Sequence, residues 1–383
     1  MVVRHVAFMM LAPFASGAEH QTLALCRYLG ERCRITLLTN DEFAHLLRTD
    51  PFFQTYAGAL EVVPIGQAFP NGSVRSLRGL ASRVSFYPRL QRRAWLALRR
   101  LRPDLIHLVL TPSFFAYLPL FRILAQPVVM TLAGEMRYVR HFYGPFKAWS
   151  VRQAVRLASG LVACSVDELE NLSAVDPTQA RRAVVLDNFT DVSRWTAAEK
   201  DPNLVTFAAR LHPEKGALLF IEAAALVAQT HPAVRFQLLG RGEQAAQAGR
   251  RIASLGLGTR IERGFTTDLA QHFGRSSIFV SCQRHENLGS SSLLEAMASE
   301  NAVVATDVGQ TGRIVDAKIG LRVPVDGEAL AGALRQLLDD PVATRAMGRA
   351  ARSRVLEHYG PGPYVSGLLQ VYDRAILGHR ASR

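Results

Sequence analysis

The chain has 383 residues, 49% hydrophobic and 20% charged, with 45 basic against 32 acidic residues and a formal net charge of +13. That length holds two domains with separate cores, and no apolar run nears the roughly 20 residues a membrane-spanning helix needs. Cys26, Cys33, Cys164 and Cys282 are scattered, with no CxxC pair and no His cluster at metal-ligand spacing, which argues against a zinc or disulfide scaffold and for buried thiols in a reducing compartment.

The opening apolar run, Val6–Phe14, is short and ends in Pro-Phe-Ala-Ser-Gly, so it reads as a buried first strand (Val6–Leu11) rather than a signal peptide. A cytoplasmic location follows as the expectation. A Gly-containing turn leads to a helix over Glu19–Leu29. Further strands are predicted at Arg34–Leu38, Leu60–Pro64, Leu105–Leu110, Val128–Leu132, Leu161–Cys164 and Ala183–Leu186, with helices at Arg92–Leu101 and Phe146–Ala158. Between Glu61 and Asp104 there is no acidic residue, while nine arginines run from Arg75 to Arg102. This block predicts one or two basic amphipathic helices. Two readings stay open: a surface that docks on anionic lipid headgroups, at about 1 kcal/mol per basic residue, or a solvated helix face. No helix-turn-helix, RNA-recognition or zinc-finger pattern accompanies the charge, so nucleic acid is not an expected partner.

The polar stretch Asp187–Asn203 (DNFTDVSRWTAAEKDPN) reads as a linker. The alternation then resumes with strands at Leu204–Ala208, Val234–Leu239, Ile261–Arg263, Ile278–Ser281, Ala302–Thr306 and Gly320–Val323. Helices are predicted at Ala217–Gln229, Gln244–Ser254, Ser292–Ala298, Glu328–Leu338 and Pro341–Glu357. After a Pro/Gly break at Gly360 comes a last amphipathic helix, Tyr364–Leu377. Alternating strands and helices imply parallel sheets covered on both faces. The expected organisation is therefore α/β. Two Rossmann-like, doubly wound domains, residues 1–186 and 204–360, face each other across a cleft. Residues 187–203 link them, and residues 361–383 form a helix packing back toward the first domain.

In open parallel sheets ligands bind beyond the carboxyl ends of the strands, so the chemistry is sought in the loops that follow them. In PFASGAE (residues 13–19), Gly17 lets a ligand approach backbone at a helix N-terminus. In FAARLHPEKG (207–216), Arg210 and Lys215 leave a buried strand just before a helix. A guanidinium fork and an ammonium point charge there suit a diphosphate. LLGRGE (238–243) brings Gly240 to another strand end. In the stretch Arg284–Ser299 (RHENLGSSSLLEAMAS), Gly289 and the serines present backbone N–H groups to an anion, Ser291 or Ser292 is a candidate N-cap, and Glu286 and Glu295 flank the site. His285 reads as a hydrogen-bonding bystander rather than a catalyst.

Together these residues resemble glycosyltransferase family 4, retaining enzymes of the GT-B fold. The likeness runs over nearly the whole chain and is strongest in AARLHPEKG, LLGRGE, HENLGSSSLLEAMAS, AVVATDVGQTG and GLRVPV, with NFTDVSRW (188–195) similar to the family's interdomain segment. The resemblance implies a nucleoside-diphosphate sugar as donor, and the expected reaction moves its sugar to a glycan or a lipid-linked acceptor in cell-surface polysaccharide synthesis, the lipid part resting on the Arg75–Arg102 block. It implies no cofactor and no metal, the cations and helix dipole neutralising the leaving group. Arg210 and Lys215 would grip the diphosphate. Glu286, with the amides of Asn287, Leu288, Gly289 and Ser290, would hold the sugar, and Glu295 the ribose hydroxyls. Gly17 would lie against the sugar and phosphate, and Gly240 near the nucleotide. The leaving diphosphate would help deprotonate the acceptor on the same face, with no protein nucleophile. Where the Arg75–Arg102 block is read as a lipid-docking surface, the protein sits peripherally on the inner face of the membrane.

Three positions depart from the family pattern. Eight residues, Asn287 through Leu294, separate Glu286 from Glu295, one more than usual. Ala133 stands where the family has a histidine, with Glu135 and Arg137 close by as substitutes. Arg313 falls where a glutamate is common. Two other functions keep the same fold: a nucleotide-sugar epimerase, and a non-catalytic nucleotide-sugar-binding relative.

Overall fold

The computed structural model describes residues 3, 5–12, 17–57, 60–67, 77–109, 111–266, 268–285 and 290–381. They form two units, Met1–Asp187 with Pro361–Arg383, and Asn188–Gly360.

The first unit starts with β1 (His5–Met10), α1 (Gly17–Gly30), β2 (Arg34–Thr39), α2 (Asp41–Thr49), α3 (Pro51–Ala57) and β3 (Glu61–Pro64). It continues through α4 (Leu77–Leu101), β4 (Leu105–Val109), α5 (Thr111–Tyr117), β5 (Val128–Leu132), α6 (Glu135–His141) and α7 (Pro145–Leu157). β6 (Gly160–Ala163), α8 (Val166–Val175), α9 (Pro177–Ala180) and β7 (Ala183–Val185) follow. Its seven parallel strands lie in the order β3-β2-β1-β4-β5-β6-β7. Ala7 sits between Thr36 of β2 and Ile106 of β4. β1 (HVAFMM) and β4 (LIHLV) are buried along their whole length, because helices cover both faces of such a sheet and leave no solvated side for alternation. At the edge, β3 is half-exposed and charged, and Glu61 accepts from Arg34 at 2.7 Å.

The second unit holds β8 (Asp201–Ala208), α10 (Ala217–Thr230), β9 (Arg235–Leu239), α11 (Ala245–Ser254), β10 (Ile261–Gly264), α12 (Ala270–Arg275) and β11 (Ser276–Ser281). α13 (Ser291–Ala298), β12 (Ala302–Thr306), α14 (Thr311–Ile314), β13 (Gly320–Val323), α15 (Gly327–Asp339) and α16 (Pro341–His358) complete it. Six parallel strands run in the order β10-β9-β8-β11-β12-β13. Val205 of β8 pairs with Phe236 on one side and Ile278 on the other. Phe220 of α10 packs between Phe207 and Phe236, at centroid distances of 5.3 and 5.9 Å. Residues 188–200 are part of this unit. Trp195 is buried against Phe273, the Thr190 amide donates to Tyr359 O, and Arg352 donates to Trp195 O at 2.6 Å. The last helix, α17 (Pro361–Ala381), lies in the first unit against β6, β5 and α1.

Several boundaries differ from the sequence reading, those of three elements by three residues or more. β8 starts at Asp201 rather than Leu204. Its polar extension is held by Ser276 and Ser277, whose hydroxyls donate to Leu204 O and Asp201 O. α17 starts at Pro361, since the first helical turn has no intrahelical acceptor for its N–H groups and tolerates proline. The arginine block is one helix, α4, with Pro88 inside it. Arg75 lies outside the described residues. Leu90, Ala94 and Leu98 are buried while Arg89, Arg92, Arg99 and Arg100 are exposed. The described residues contain no helix long and apolar enough to cross a membrane.

Candidate functional site

In the second sheet the chain winds outward from β8 to β9 and β10, then returns to β11 on the other side of β8. The loops after β8 and β11 therefore diverge around one point at the carboxyl edge, the place where such sheets open a crevice. Both carry predicted site residues.

The loop after β8 is docked on its neighbours by backbone. The amide of Ala209 donates to Leu239 O at 3.1 Å, and that of Leu211 to Arg241 O at 2.9 Å. Gly240 (φ +155°) and Gly242 (φ +154°) permit this approach: a Cβ on Gly240 would stand 1.9 Å from Ala209 O, and one on Gly242 2.5 Å from Leu211 O. On the other side Gly216 (φ +71°) meets the end of β11, where a Cβ would come within 2.1 Å of Cys282 O. The Arg284 amide donates to Glu214 O at 3.1 Å. Lys215 Nζ donates to Gln283 Oε1 at 2.9 Å, and the buried Gln283 is held in turn by Thr306 Oγ1, which donates to its carbonyl. The Lys215 ammonium is thus half-buried and positioned across the switch point. Arg210 is exposed in the same loop.

Glu286, Asn287, Leu288 and Gly289 lie outside the described residues, as do residues 13–16 of the first loop. Ser290 is the N-cap of α13, with its Oγ 3.1 Å from that of Ser292 and its carbonyl accepting from the Leu293 and Leu294 amides. The expected caps, Ser291 and Ser292, fall inside the helix. Their amides belong to its first turn, where an α-helix supplies no acceptor. His285 is exposed, 4.0 Å from Glu214.

Glu295 is half-buried in the second turn of α13. Loss of hydration lifts its carboxyl to about pKa 7, and the charge of Arg194 opposes the rise. Arg194 was not singled out by sequence. It sits in NFTDVSRW, placed by its neighbour Trp195, over whose ring its guanidinium lies at 6.0 Å. Two more cations stand at the same sheet edge: Arg241 after β9, 4.4 Å over the exposed ring of Phe265, and Arg313 after β12, which donates to Gln310 Oε1 at 3.0 Å.

In the first sheet the equivalent switch lies between β1 and β4. Gly17 is the first residue of α1. The chain leaving β1 is gripped by two buried residues that sequence reading missed. Asn40 accepts from the Ala12 amide at 2.8 Å and donates to Ala12 O at 2.9 Å, and Ser113 Oγ accepts from the Leu11 amide at 2.9 Å. After β5, Ala133 is exposed, and Glu135 turns back so that its buried carboxylate accepts from the Ala133 amide. The carboxylate is spent on shaping its own loop, which leaves it a poor substitute for a histidine side chain. Arg137 lies 5.6 Å from the Phe142 ring.

Residues 15–194 match the family model Glycosyltransferase Family 4, and residues 189–354 match Glycosyl transferases group 1. The chain belongs to glycosyltransferase family 4. Within this family, glycogen synthase of Mycobacterium tuberculosis is 26% identical over 61% of this chain and 58% of its own length, so the chain spans less than two thirds of that relative. The alpha-D-kanosaminyltransferase of Streptomyces kanamyceticus is 26% identical over 70% of this chain and 73% of its own. Anabaena HepE, crystallised with UDP and glucose, superposes with a TM-score of 0.78 at 19% identity, covering 95% of this chain and 98% of that one. That likeness is one of fold, and the fold is GT-B.

Proposed function

We propose that this chain transfers a sugar from a nucleoside diphosphate to a glycan or lipid-linked acceptor in cell-surface polysaccharide synthesis, with retention of anomeric configuration. The observation that carries the reading is the Lys215–Gln283 contact across the β8–β11 switch, with Arg210 exposed in the same loop and the first turn of α13 beside it. Two cations in the loop after β8 and a helix N-terminus in the segment after β11 stand at the carboxyl ends of neighbouring strands, an arrangement suited to a diphosphate. HepE, crystallised with UDP and glucose and with UDP-glucose, supports the same donor class. Glu286 and the amides of Asn287, Leu288 and Gly289 are assigned to the sugar, Glu295 to the ribose hydroxyls, Gly17 and Gly240 to donor contacts.

In this reading charge develops on the leaving diphosphate, and preorganised cations lower the barrier without a metal ion. The diphosphate takes up the acceptor's proton on the same face, and positioning supplies the rest of the rate. The exposed arginines of α4 meet anionic lipid and bring the chain to a lipid-linked acceptor.

Calorimetric titration with a panel of nucleotide sugars tests the donor site. Arg210→Ala removes charge-assisted hydrogen bonds, each worth about 1.5–3 kcal/mol, and should weaken donor binding at least about tenfold. The wild-type transfer rate should be unchanged in EDTA. Unaltered donor affinity in Arg210→Ala would count against the site, and an EDTA-sensitive rate against metal-free catalysis.

A further inference from the structure

α7 buries Ala148, Val151, Ala154 and Val155 against the core of the first unit. Its inward face is therefore filled, yet its outward face begins with Phe146 and Trp149, 79% and 52% exposed, their rings stacked at 6.1 Å. On the adjoining α6, Tyr138 is 45% exposed, and Phe142, just past its end, 60%; their rings lie 5.4 Å apart. Four large exposed aromatic side chains, in two pairs at helices that pack on one another, are more than scattered surface apolarity explains.

Past the buried Glu135, the charge along α6 and α7 themselves has one sign, the acids of the neighbouring α8 being Asp167, the buried Glu168 and Glu170. Residues 136–166 contain five Arg and Lys and no Asp or Glu. The preceding acid, Glu135, is buried, and the following one, Asp167, opens α8. Arg140 and Lys147 are exposed, with Lys147 Nζ 3.9 Å above the Tyr143 ring. Arg156, one of the five, is committed to Asp176 at 2.8 Å, which leaves four. An isologous contact with a second copy would set these like charges against one another. An extended anionic sheet would not, and aromatic rings mixed with cations are what settles at the headgroup level of a bilayer. α4 continues the character: exposed Leu96 and Tyr87 stand among its exposed arginines, and both α4 and α7 pack on α5.

We propose that α6 and the first two turns of α7 dock this protein on an anionic phospholipid bilayer. Phe142, Phe146 and Trp149 enter the headgroup layer, and Arg140 and Lys147 pair with lipid phosphates. The surface belongs to the first unit alone, and the inference stands whether or not the donor site is assigned as above.

Cosedimentation of the full chain with phosphatidylcholine vesicles, with and without about 30 mol % phosphatidylglycerol, tests it, since juxtamembrane cations respond to anionic lipid. The chain should bind the anionic vesicles, less so as salt rises, with a blue shift in tryptophan emission that Trp149→Ser abolishes. Phe146→Ser with Trp149→Ser, and separately Arg140→Glu, should each lower partitioning about tenfold or more while the melting temperature stays put. Arg92→Glu with Arg99→Glu probes α4 independently. No binding to anionic vesicles overturns the proposal. So does wild-type binding in the Phe146/Trp149 variant, which would leave α4 as the docking helix. A wild-type dimer that the same variant converts to monomer, without lipid binding, would make the face a protein interface and overturn it equally.

Discussion

Glu295 holds its carboxyl half out of water in α13, and desolvation raises its pKa from 4.5 to about 7 against the pull of Arg194. Below pH 4.5 the group is protonated in folded and unfolded chains alike. Between 4.5 and 7 the folded chain keeps a proton that the unfolded chain has released, so its contribution to stability falls as pH rises, and above 7 the whole penalty is present. The size is on the order of 2–3 kcal/mol. Glu295→Gln removes the charge while keeping the shape. Denaturant midpoints should show it more stable than wild type at pH 8 and equal to it near pH 4. A pH-independent difference would mean that burial is not what strains this group.

Elements position these residues by docking loop on loop. Gly216 lies between the Pro213–Lys215 turn and α10 at φ +71°, against Cys282 O. Alanine there meets both an unfavourable backbone region and the carbonyl. Gly216→Ala should cost roughly 2–4 kcal/mol and weaken nucleotide binding by displacing Lys215. Gly258→Ala, whose Cβ would have nothing within 4 Å, is the neutral control. Equal stability and affinity in the two variants would separate Lys215 from the docking. The same scale shows what was legible in the sequence. Each of the thirteen strands among the described residues coincides with a predicted run, and the central ones such as β1 and β4, buried on both faces, announce themselves by composition. The start of β8 did not, since Asp201-Pro202-Asn203 is held by hydrogen bonds and not by burial. Arg210 and Lys215 were legible from their place between an apolar strand and a helix. Lys215's partner was not: Gln283 lies 68 positions away, and only the β8–β11 neighbourhood brings it there. Arg194, Asn40 and Ser113 were hidden for the same reason, their partners being set by strand order and not by local pattern.

At the scale of the molecule, the chain ends by returning to where it began. α17 buries Val365, Leu368, Val371, Tyr372, Ala375 and Ile376 in the first unit. Val371 Cγ1 would stand 3.1 Å from a Cβ on Gly160, so β6 and α17 are in close contact there. Tyr372 OH meets His107 Nδ1 at 2.6 Å, and His107 Nε2 meets Thr131 Oγ1 at 2.8 Å. Burial holds His107 down at about pKa 3, so it stays neutral in the folded chain. As pH falls from 6.5 toward 3 the unfolded chain takes up a proton that the folded chain refuses, and the first unit loses stability. This is the opposite slope to that of Glu295 in the second unit. Burying an aliphatic or aromatic side chain contributes about 1.5–3 kcal/mol, so the apolar face of α17 supplies on the order of 10 kcal/mol, as much as a whole domain's net stability. Ending the chain after Gly360 removes that and leaves His107 Nδ1 buried without its hydroxyl, a further cost of about 1–3 kcal/mol. Scanning calorimetry of the truncated chain should therefore lose the transition of the first unit and keep that of the second, and amide exchange should show β4 and β5 unprotected while β8 and β11 stay protected. A truncated chain that keeps protection in β4 and β5 would show that the first sheet stands without its last helix.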